Sequence, residues 1–172
     1  VPKSGAYIVL VGEGGLLSGP AAEVDAQLDG ALKRGIEALG LKGKAGDMLD
    51  LSTPNNVPYA RLVALSVGDP ATLDAIRAQN IGGTLYTRLA AGDLKHASIA
   101  CAAPDGCAMI PEDMAAEIAY GMRLAAYRFD KYHTKRPQAE TPTLASLGIM
   151  SSGSASARKR FGVLDRIADG VA

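Results

Sequence analysis

Runs of consecutive apolar residues alternate along this chain with segments in which apolar residues recur every three or four positions. The uninterrupted runs predict strands buried on both faces, because a half-exposed strand would alternate apolar and polar side chains. Such runs cover residues 6–12, 60–68 and 97–103. Residues 46–52 alternate at their centre and predict a half-exposed strand, and residues 144–150 predict a last strand.

The first two helical patterns follow the predicted strands at residues 6–12 and 60–68. One runs from Pro20 to Gly40, with an apolar stripe at Val24, Leu28, Leu32, Ile36 and Leu39. The next opens at Asp69-Pro70 and ends near Gly92, with a stripe at Leu73, Ile76, Leu85 and Leu89. Gly82 and Gly83 lie inside it, and each costs about 1 kcal/mol relative to alanine, which indicates a close contact or a break.

The best-formed helix begins at Pro111, where Glu112 and Asp113 complement the positive end of the helix dipole. Its apolar stripe is Met114, Ile118, Met122, Ala125, Phe129 and Tyr132. The polar segment 134–143 predicts a surface connection. The order of strands and helices predicts a three-layer α/β domain with a mixed β-sheet flanked by helices.

The last helical pattern starts at Ser154 and continues to Ala172, with a stripe at Ala157, Phe161, Leu164, Ala168 and Val171. It is typical either of a terminal helix docked on its own domain or of a helix leading into another domain. In the second case we expect Phe161, Leu164, Ile167 and Val171 to pack against a segment outside this chain. Replacing Phe161 with Ala would then leave the chain's own stability almost unchanged. The chain begins at Val1 rather than Met, which is expected of a trimmed sequence.

Composition narrows the class of protein. The 172 residues are 48% hydrophobic and carry 18 basic and 18 acidic side chains. This length suits one domain, or one domain with an appendage. The zero net charge argues against nucleic acid or an anionic membrane as a general partner. Two cysteines fit a reducing compartment, and without a signal-peptide pattern or a membrane-length apolar run we expect a cytoplasmic protein.

A glycine-rich segment at residues 12–20 follows the first strand, where phosphate-binding loops occur. Leu17 stands where a dinucleotide-binding fingerprint needs its third glycine. Pro20 and Ala21 stand where a Walker motif needs Lys and Ser or Thr. We therefore interpret the segment as a tight loop with a helix cap.

The remaining candidates do not form a recognisable reactive group. His96 and His133 are single histidines, and Cys101 and Cys107 lie too far apart for a Cys-x-x-Cys pair. The carboxylates are dispersed. The basic cluster Arg158-Lys159-Arg160 is interpreted as a solvated helix face, with a contact to a partner domain or a phosphate as the other interpretation. The sequence therefore assigns no catalytic, cofactor-binding or metal-binding residue to this chain.

Residues 115–135, "AAEIAYGMRLAAYRFDKYHTK", closely resemble the leucyl aminopeptidase (cytosol aminopeptidase) family, with Gly121, Leu124 and Tyr127-x-Phe129-x-x-Tyr132 in the matching pattern. Residues 40–52 resemble the Phe/Leu-x-Gly-Lys-x-Gly segment of that family. Its strand-to-helix junction resembles "LVALSVGDP", and residues 166–172 resemble the start of its linker helix.

The resemblance implies an amino-terminal domain with a macro-domain-like fold over residues 1–136. Residues 137–172 would form the final strand and the start of a linker helix to a carboxyl-terminal catalytic domain. It also implies a parent enzyme that removes amino-terminal residues from peptides and assembles as a homohexamer. In the family, that catalytic domain binds two divalent metal ions, zinc or manganese, partly through an Asn-Thr-Asp-Ala-Glu-Gly-Arg motif.

That motif does not occur in this sequence, so the chain alone is predicted to be inactive. Its implied role is to support oligomer assembly and to shape access to the active site. The alternative function is a stand-alone macro-like module that binds an ADP-ribose-type nucleotide through residues 12–20. DNA binding is a third possibility, and the zero net charge weighs against it.

Overall fold

The computed structural model of the chain describes residue 2 and residues 4–52, 57–132 and 144–170, with the backbone alone at 128–132 and 170. Five strands form one sheet in the order β2-β3-β1-β4-β5. They are β1 (Ala6–Val11), β2 (Met48–Ser52), β3 (Arg61–Ser66), β4 (His96–Ala100) and β5 (Ser146–Met150). Strand β2 runs antiparallel to β3, and all other neighbours are parallel, so the sheet is mixed as predicted.

Five helices cover the two faces of the sheet. They are α1 (Pro20–Gln27), α2 (Ala31–Ala38), α3 (Ala75–Ala90), α4 (Pro111–Tyr132) and α5 (Ser154–Gly170). One apolar cluster joins the sheet to α1 and α2, and a second joins its other face to α3, α4 and α5. The predicted three-layer α/β arrangement is therefore confirmed. Among the helices of the described residues, none combines the length and apolar character needed to cross a membrane.

Strand β1 lies at the centre of the sheet and all six of its residues are buried. Tyr7 and Val9 belong to the apolar cluster under α1 and α2, whereas Ile8 and Leu10 belong to the opposite cluster. Successive side chains of a strand point to opposite faces, so burial on both faces requires an uninterrupted apolar run. Strand β2 lies at the edge and alternates, with Leu49 buried and the next residue exposed.

The prediction of one helix from Pro20 to Gly40 is wrong, because the structure divides this segment into α1 and α2. Asp29 and Gly30 adopt positive φ angles of 51° and 77°, a conformation that ends a right-handed helix. Asp25 accepts a hydrogen bond from the backbone N–H of Lys33 at 2.9 Å and so joins α1 to α2 across the break. Leu39, predicted to lie on the buried stripe, is exposed.

The second predicted helix begins later than the sequence indicates. Pro70–Thr72 forms a single 3-10 turn, and α3 starts after Asp74, whose carboxylate accepts a hydrogen bond from the backbone N–H of Arg77 at 2.8 Å. The later start rotates the stripe, so Ile76 is 69% exposed rather than buried. The other predicted stripe residues are buried, and Ile81 is buried with them.

Glycines allow α3 and α4 to approach until their backbones touch. A Cβ atom added at Gly82 would collide with the carbonyl oxygen of Ile118. One added at Gly121 would collide with the carbonyl oxygen of Gln79. Helix α3 runs through both glycines without interruption, so the close contact is the correct interpretation at Gly82, whereas Gly83 has only ordinary contacts.

The stripe of α4 is buried as predicted at Met114, Ile118 and Met122. The side chains of Phe129 and Tyr132 lie outside the described part of the molecule, as do the whole of His133 and the predicted connection 134–143.

The helix contact gives a direct test by substitution. Gly82→Ala should lower the free energy of unfolding by about 1–3 kcal/mol, because a backbone atom occupies the space that the methyl group needs. Gly83→Ala is the matched control, since its Cβ would lie 3.7 Å from the nearest atom, the carbonyl oxygen of Gly121. At position 83 the higher helix propensity of alanine should raise the free energy of unfolding by up to about 1 kcal/mol. Urea unfolding measures both, and equal effects at the two positions would contradict the close contact.

Candidate functional site

The glycine-rich loop leaves the carboxyl end of β1, and the backbone N–H groups of its first three glycines are already used within the chain. The N–H of Gly14 donates to the carbonyl oxygen of Lys42 at 3.2 Å, and that of Gly15 donates to Gly12 at 3.1 Å. The N–H of Gly12 and the carbonyl oxygen of Leu16 are joined at 3.0 Å. A phosphate-binding loop needs free N–H groups directed at the ligand. The geometry therefore agrees with the interpretation of this segment as a tight structural loop.

The segment 40–47 closes against this loop from the side. Gly43 has a φ of 71°, and a Cβ there would lie 2.5 Å from the backbone nitrogen of Gly14. The buried hydroxyl of Ser66 donates to the carbonyl oxygen of Gly43 at 2.7 Å and accepts from the N–H of Gly68 at 3.1 Å. A cavity of about 10 Å³ remains between the two segments. This is the space of a single water molecule and far below that of a nucleotide.

Of the histidines and cysteines that the sequence singled out, His96 and Cys101 lie at opposite ends of β4, and His133 lies outside the described residues. His96 lies at the start of β4, where its Nδ1 is 2.9 Å from the Ser146 hydroxyl. Burial, with a smaller contribution from the charge of Cys107, raises the pKa of the Cys101 thiol to about 12. A thiol must lose its proton to act as a nucleophile or a metal ligand, so Cys101 stays an apolar core residue at neutral pH.

Metal-binding side chains are equally dispersed. Across the described side chains of residues 4–52, 57–127 and 144–169, no three His, Cys, Asp or Glu are placed to hold one metal ion. Catalytic zinc sites in proteins typically have three protein ligands.

The most unusual arrangement surrounds α5, which contributes little apolar surface to the core. Among its described side chains only Ala157 is buried. Phe161 and Leu164 are partly buried, and Ile167 is exposed, while Val171 lies outside the described residues. Of the residues expected to pack against a segment outside this chain, Phe161 and Leu164 are thus half-buried within it, and Ile167 is exposed.

Helix α5 is fixed to α4 by charged groups instead. Arg160 contacts Asp113 at 3.3 Å and Glu117 at 2.9 Å. Farther along, Arg123 contacts Asp165 at 3.1 Å and Asp169 at 3.2 Å. Within the basic cluster read from the sequence as a solvated face, Arg160 therefore makes internal contacts across the helix pair.

Glu117 is the residue that joins three helices, and sequence analysis missed it. It is only 2% exposed although it carries a carboxylate. One oxygen accepts from Arg160 on α5, and the other accepts from the Gln79 side chain on α3 at 2.8 Å. Burying a carboxylate is costly unless it is paired and hydrogen-bonded, and here both oxygens are. The available signal was its position among the small and apolar residues 114–118, all of which are buried.

A groove of about 330 Å³ lies between α4, β5 and α5. Small side chains of α4 form one wall, the ring of Phe161 forms part of another, and Arg158 lies at the groove as well. The buried hydroxyl of Ser151 also lines it, and no described residue hydrogen-bonds to this hydroxyl. Phe161 therefore has packing partners on one side and empty space on the other.

The pairing of Glu117 predicts a marked cost of removing its charge. Glu117→Gln should lower the free energy of unfolding by about 1–3 kcal/mol, because a buried group then loses part of its hydrogen bonding. Asp165→Asn also removes one carboxylate of the α4–α5 contact, but this pair is 40% and 36% exposed and should be worth less than about 1 kcal/mol. Chemical denaturation compares them. A Glu117 variant no weaker than the Asp165 variant would show that the buried pair does not hold the helices.

The half-burial of Phe161 revises the expected effect of its replacement. Phe161→Ala should cost this chain about 1–2 kcal/mol, less than the 3–5 kcal/mol typical of a fully buried Phe, because the groove already deprives the ring of contacts. Thermal or urea unfolding of the 172-residue chain measures the loss. A loss above this range would mean that the ring packs fully within the domain.

Comparison with known proteins supports the assignment that the glycine and α4 motifs suggest. The family model described as "Cytosol aminopeptidase family, N-terminal domain" matches residues 8–136. A probable cytosol aminopeptidase of Rhodopseudomonas palustris is 36% identical over 141 residues, which are 82% of this chain and 28% of that protein. One from Brucella ovis is 31% identical over 173 residues, covering 99% of this chain and 34% of that protein.

Solved structures of aminopeptidase-related proteins share the fold of this chain. A tomato leucine aminopeptidase mutant superposes with a TM-score of 0.74 at 17% identity, over 98% of this chain and 34% of that one. The bottromycin maturation enzyme BotP, in complex with Mn, gives 0.64 at 14% identity, over 93% of this chain and 29% of that one. The chain spans about a third of the length of the curated relatives it matches. By the family match and these relatives, the chain belongs to the cytosol aminopeptidase family and corresponds to its N-terminal domain.

Proposed function

We propose that this chain is the non-catalytic amino-terminal domain of a leucyl aminopeptidase-type exopeptidase. The parent enzyme would release amino-terminal residues from peptides, using two divalent metal ions, zinc or manganese, in its carboxyl-terminal catalytic domain. The observation that carries the proposal is the match of an N-terminal domain to residues 8–136, together with relatives that are about three times as long as this chain. The cytosolic names of those relatives support a cytoplasmic location.

The dispersal of reactive side chains supports placing the chemistry elsewhere in the parent. The described residues offer no set of three metal ligands, and the pKa of the Cys101 thiol is raised to about 12. A manganese ion in the structurally similar BotP supports divalent-metal chemistry in the remaining part of the parent. Zinc remains equally compatible with this proposal.

The division of the chain follows from the same family. We assign residues 1–136 to a macro-like domain and 137–172 to the final strand and the start of the linker helix. The family match ends at residue 136, which supports this boundary. Strand β5 nevertheless pairs in parallel with β4, so the second segment completes the sheet of the first.

A supporting role in a homohexamer, and in controlling access to the active site, completes the proposal. Its basis is the resemblance of residues 115–135 to the family pattern. The nucleotide-binding alternative is less favoured, because the N–H groups of Gly12, Gly14 and Gly15 are bonded within the chain and the adjacent cavity holds about 10 Å³.

The proposal is tested by comparing two proteins, the 172-residue chain and the full-length product of the gene that encodes it. The full-length protein should hydrolyse a leucine anilide, lose this activity with a chelator, and regain it with Mn²⁺ or Zn²⁺. The 172-residue chain should show no turnover with either metal. Sedimentation velocity on the same samples reports whether the full-length protein is a hexamer.

Two results would reject the proposal. One is metal-dependent turnover by the pure 172-residue chain, and the other is a full-length protein without peptidase activity under all metal conditions. Micromolar binding of ADP-ribose by the chain, measured by calorimetry, would instead favour the nucleotide-binding alternative.

A further inference from the structure

Three aliphatic side chains remain exposed on the outer side of the α4–α5 pair. Leu124 on α4 is 37% exposed, and Val163 and Ile167 on α5 are 48% and 51% exposed. We call these three residues the outer patch. Single exposed aliphatic residues, such as Leu39 or Ile76, are normal on a protein surface and need no partner. A set that shares one surface is a different observation.

The ion pair between Glu117 and Arg160 fixes how the two helices align. Glu117 pairs with Arg160, and Arg123 pairs with Asp165 and Asp169, so contacts advance in the same direction along both helices. The helices are therefore parallel. Leu124 lies seven residues after Glu117, and Ile167 lies seven residues after Arg160. Seven residues are about two turns, or about 10 Å, so the two side chains lie at the same height and on the same side as the ion pair.

Val163 extends the patch along α5. Residues 160, 163 and 167 occupy one face of a helix, because positions three and four apart are neighbours on its surface. Arg160 anchors this face to α4 while Val163 and Ile167 remain half-exposed. The outer patch is thus a continuous apolar strip beside a fixed ion pair.

We propose that the outer patch is the surface on which the domain following α5 in the full-length protein docks. This inference rests on the proposed function, since it needs a longer parent. Two observations select this occupant. In the Brucella ovis relative about two thirds of the protein lies outside the match, and the matched family domain is N-terminal, so the remainder follows it. Helix α5 is the last element described, so two of the three patch residues, Val163 and Ile167, lie on the described element nearest in sequence to that remainder.

Covalent connection strengthens the argument. A domain that belongs to the same chain as α5 has a raised effective concentration at its surface, so even a small apolar strip can be covered. The buried Glu117 keeps α5 in one orientation and so presents the strip in one direction. Docking on a polar surface of the same helix would gain less, because apolar burial is the main favourable contribution to such contacts.

Thiol footprinting tests the proposal on the full-length protein and on the 172-residue chain side by side. The background is Cys107→Ser, which removes the partly exposed native thiol, while Cys101 is buried. Ile167→Cys reports on the patch. Leu39→Cys is the matched control, because Leu39 is 63% exposed and follows α2 on the opposite layer.

Labelling by a maleimide follows exposure of the thiol, so Ile167→Cys should react about tenfold more slowly in the full-length protein than in the 172-residue chain. Leu39→Cys should react at the same rate in both. Equal rates for Ile167→Cys in the two proteins would overturn the proposal. Protection that appears in the 172-residue chain alone and grows with its concentration would also overturn it, since the occupant would then be a second copy.

The outcome is separable from that of the proposed function. Unprotected Ile167→Cys in a full-length protein with metal-dependent peptidase activity rejects the docking surface alone. Protected Ile167→Cys in a full-length protein without that activity rejects the peptidase proposal and supports the docking surface.

Discussion

The close contact between α3 and α4 is the constraint on which the helical layer depends. Gly121 touches the carbonyl oxygen of Gln79, and the side chain of the same Gln79 reaches Glu117 one turn earlier on α4. A larger residue at position 121 would separate the helices and move this amide away from the carboxylate. Because Glu117 also holds Arg160, the position of α5 depends on space left by a glycine on another helix.

The helices on the two faces of the sheet are held by different kinds of contact. Under α1 and α2 the contacts are those of an ordinary apolar core, and Tyr7 and Tyr59 bring their rings to 5.2 Å between centroids. On the opposite face α3 and α4 extend such a core, but α5 adds one buried alanine and three ion-paired side chains, Arg160, Asp165 and Asp169. Charged contacts are directional, whereas apolar contacts tolerate rotation. Helix α5 is therefore held in a defined orientation although it buries little apolar surface.

The sequence predicts the sheet well because its signal is local. A buried parallel strand must be apolar at every position, and β1, β3 and β4 all meet this condition closely enough to be read directly. The break at Asp29 and Gly30 could not be read, since the apolar period of α1 continues into α2 despite the positive φ angles. Ile76 was misplaced because a 3-10 turn changes the phase of the pattern.

The candidate surface was harder to predict than the fold. The stripe on α5 was visible in the sequence, but not which of its members the domain itself covers, because that depends on the groove between α4 and β5. Glu117 could not be recognised either. A lone glutamate on a helix usually lies in solvent, and its two partners come from positions 79 and 160, far away in the sequence.

The weak apolar attachment of α5 also sets the order in which parts of this molecule open. Regions with few buried contacts exchange their amide hydrogens through local opening, without unfolding of the rest. Helix α5 belongs to this class, whereas β1, buried along its whole length, opens only with the entire sheet. Local opening of α5 would break the pairing of Arg160 with the buried Glu117. The last helix can thus open before the sheet does, but each opening leaves a buried carboxylate with one partner fewer.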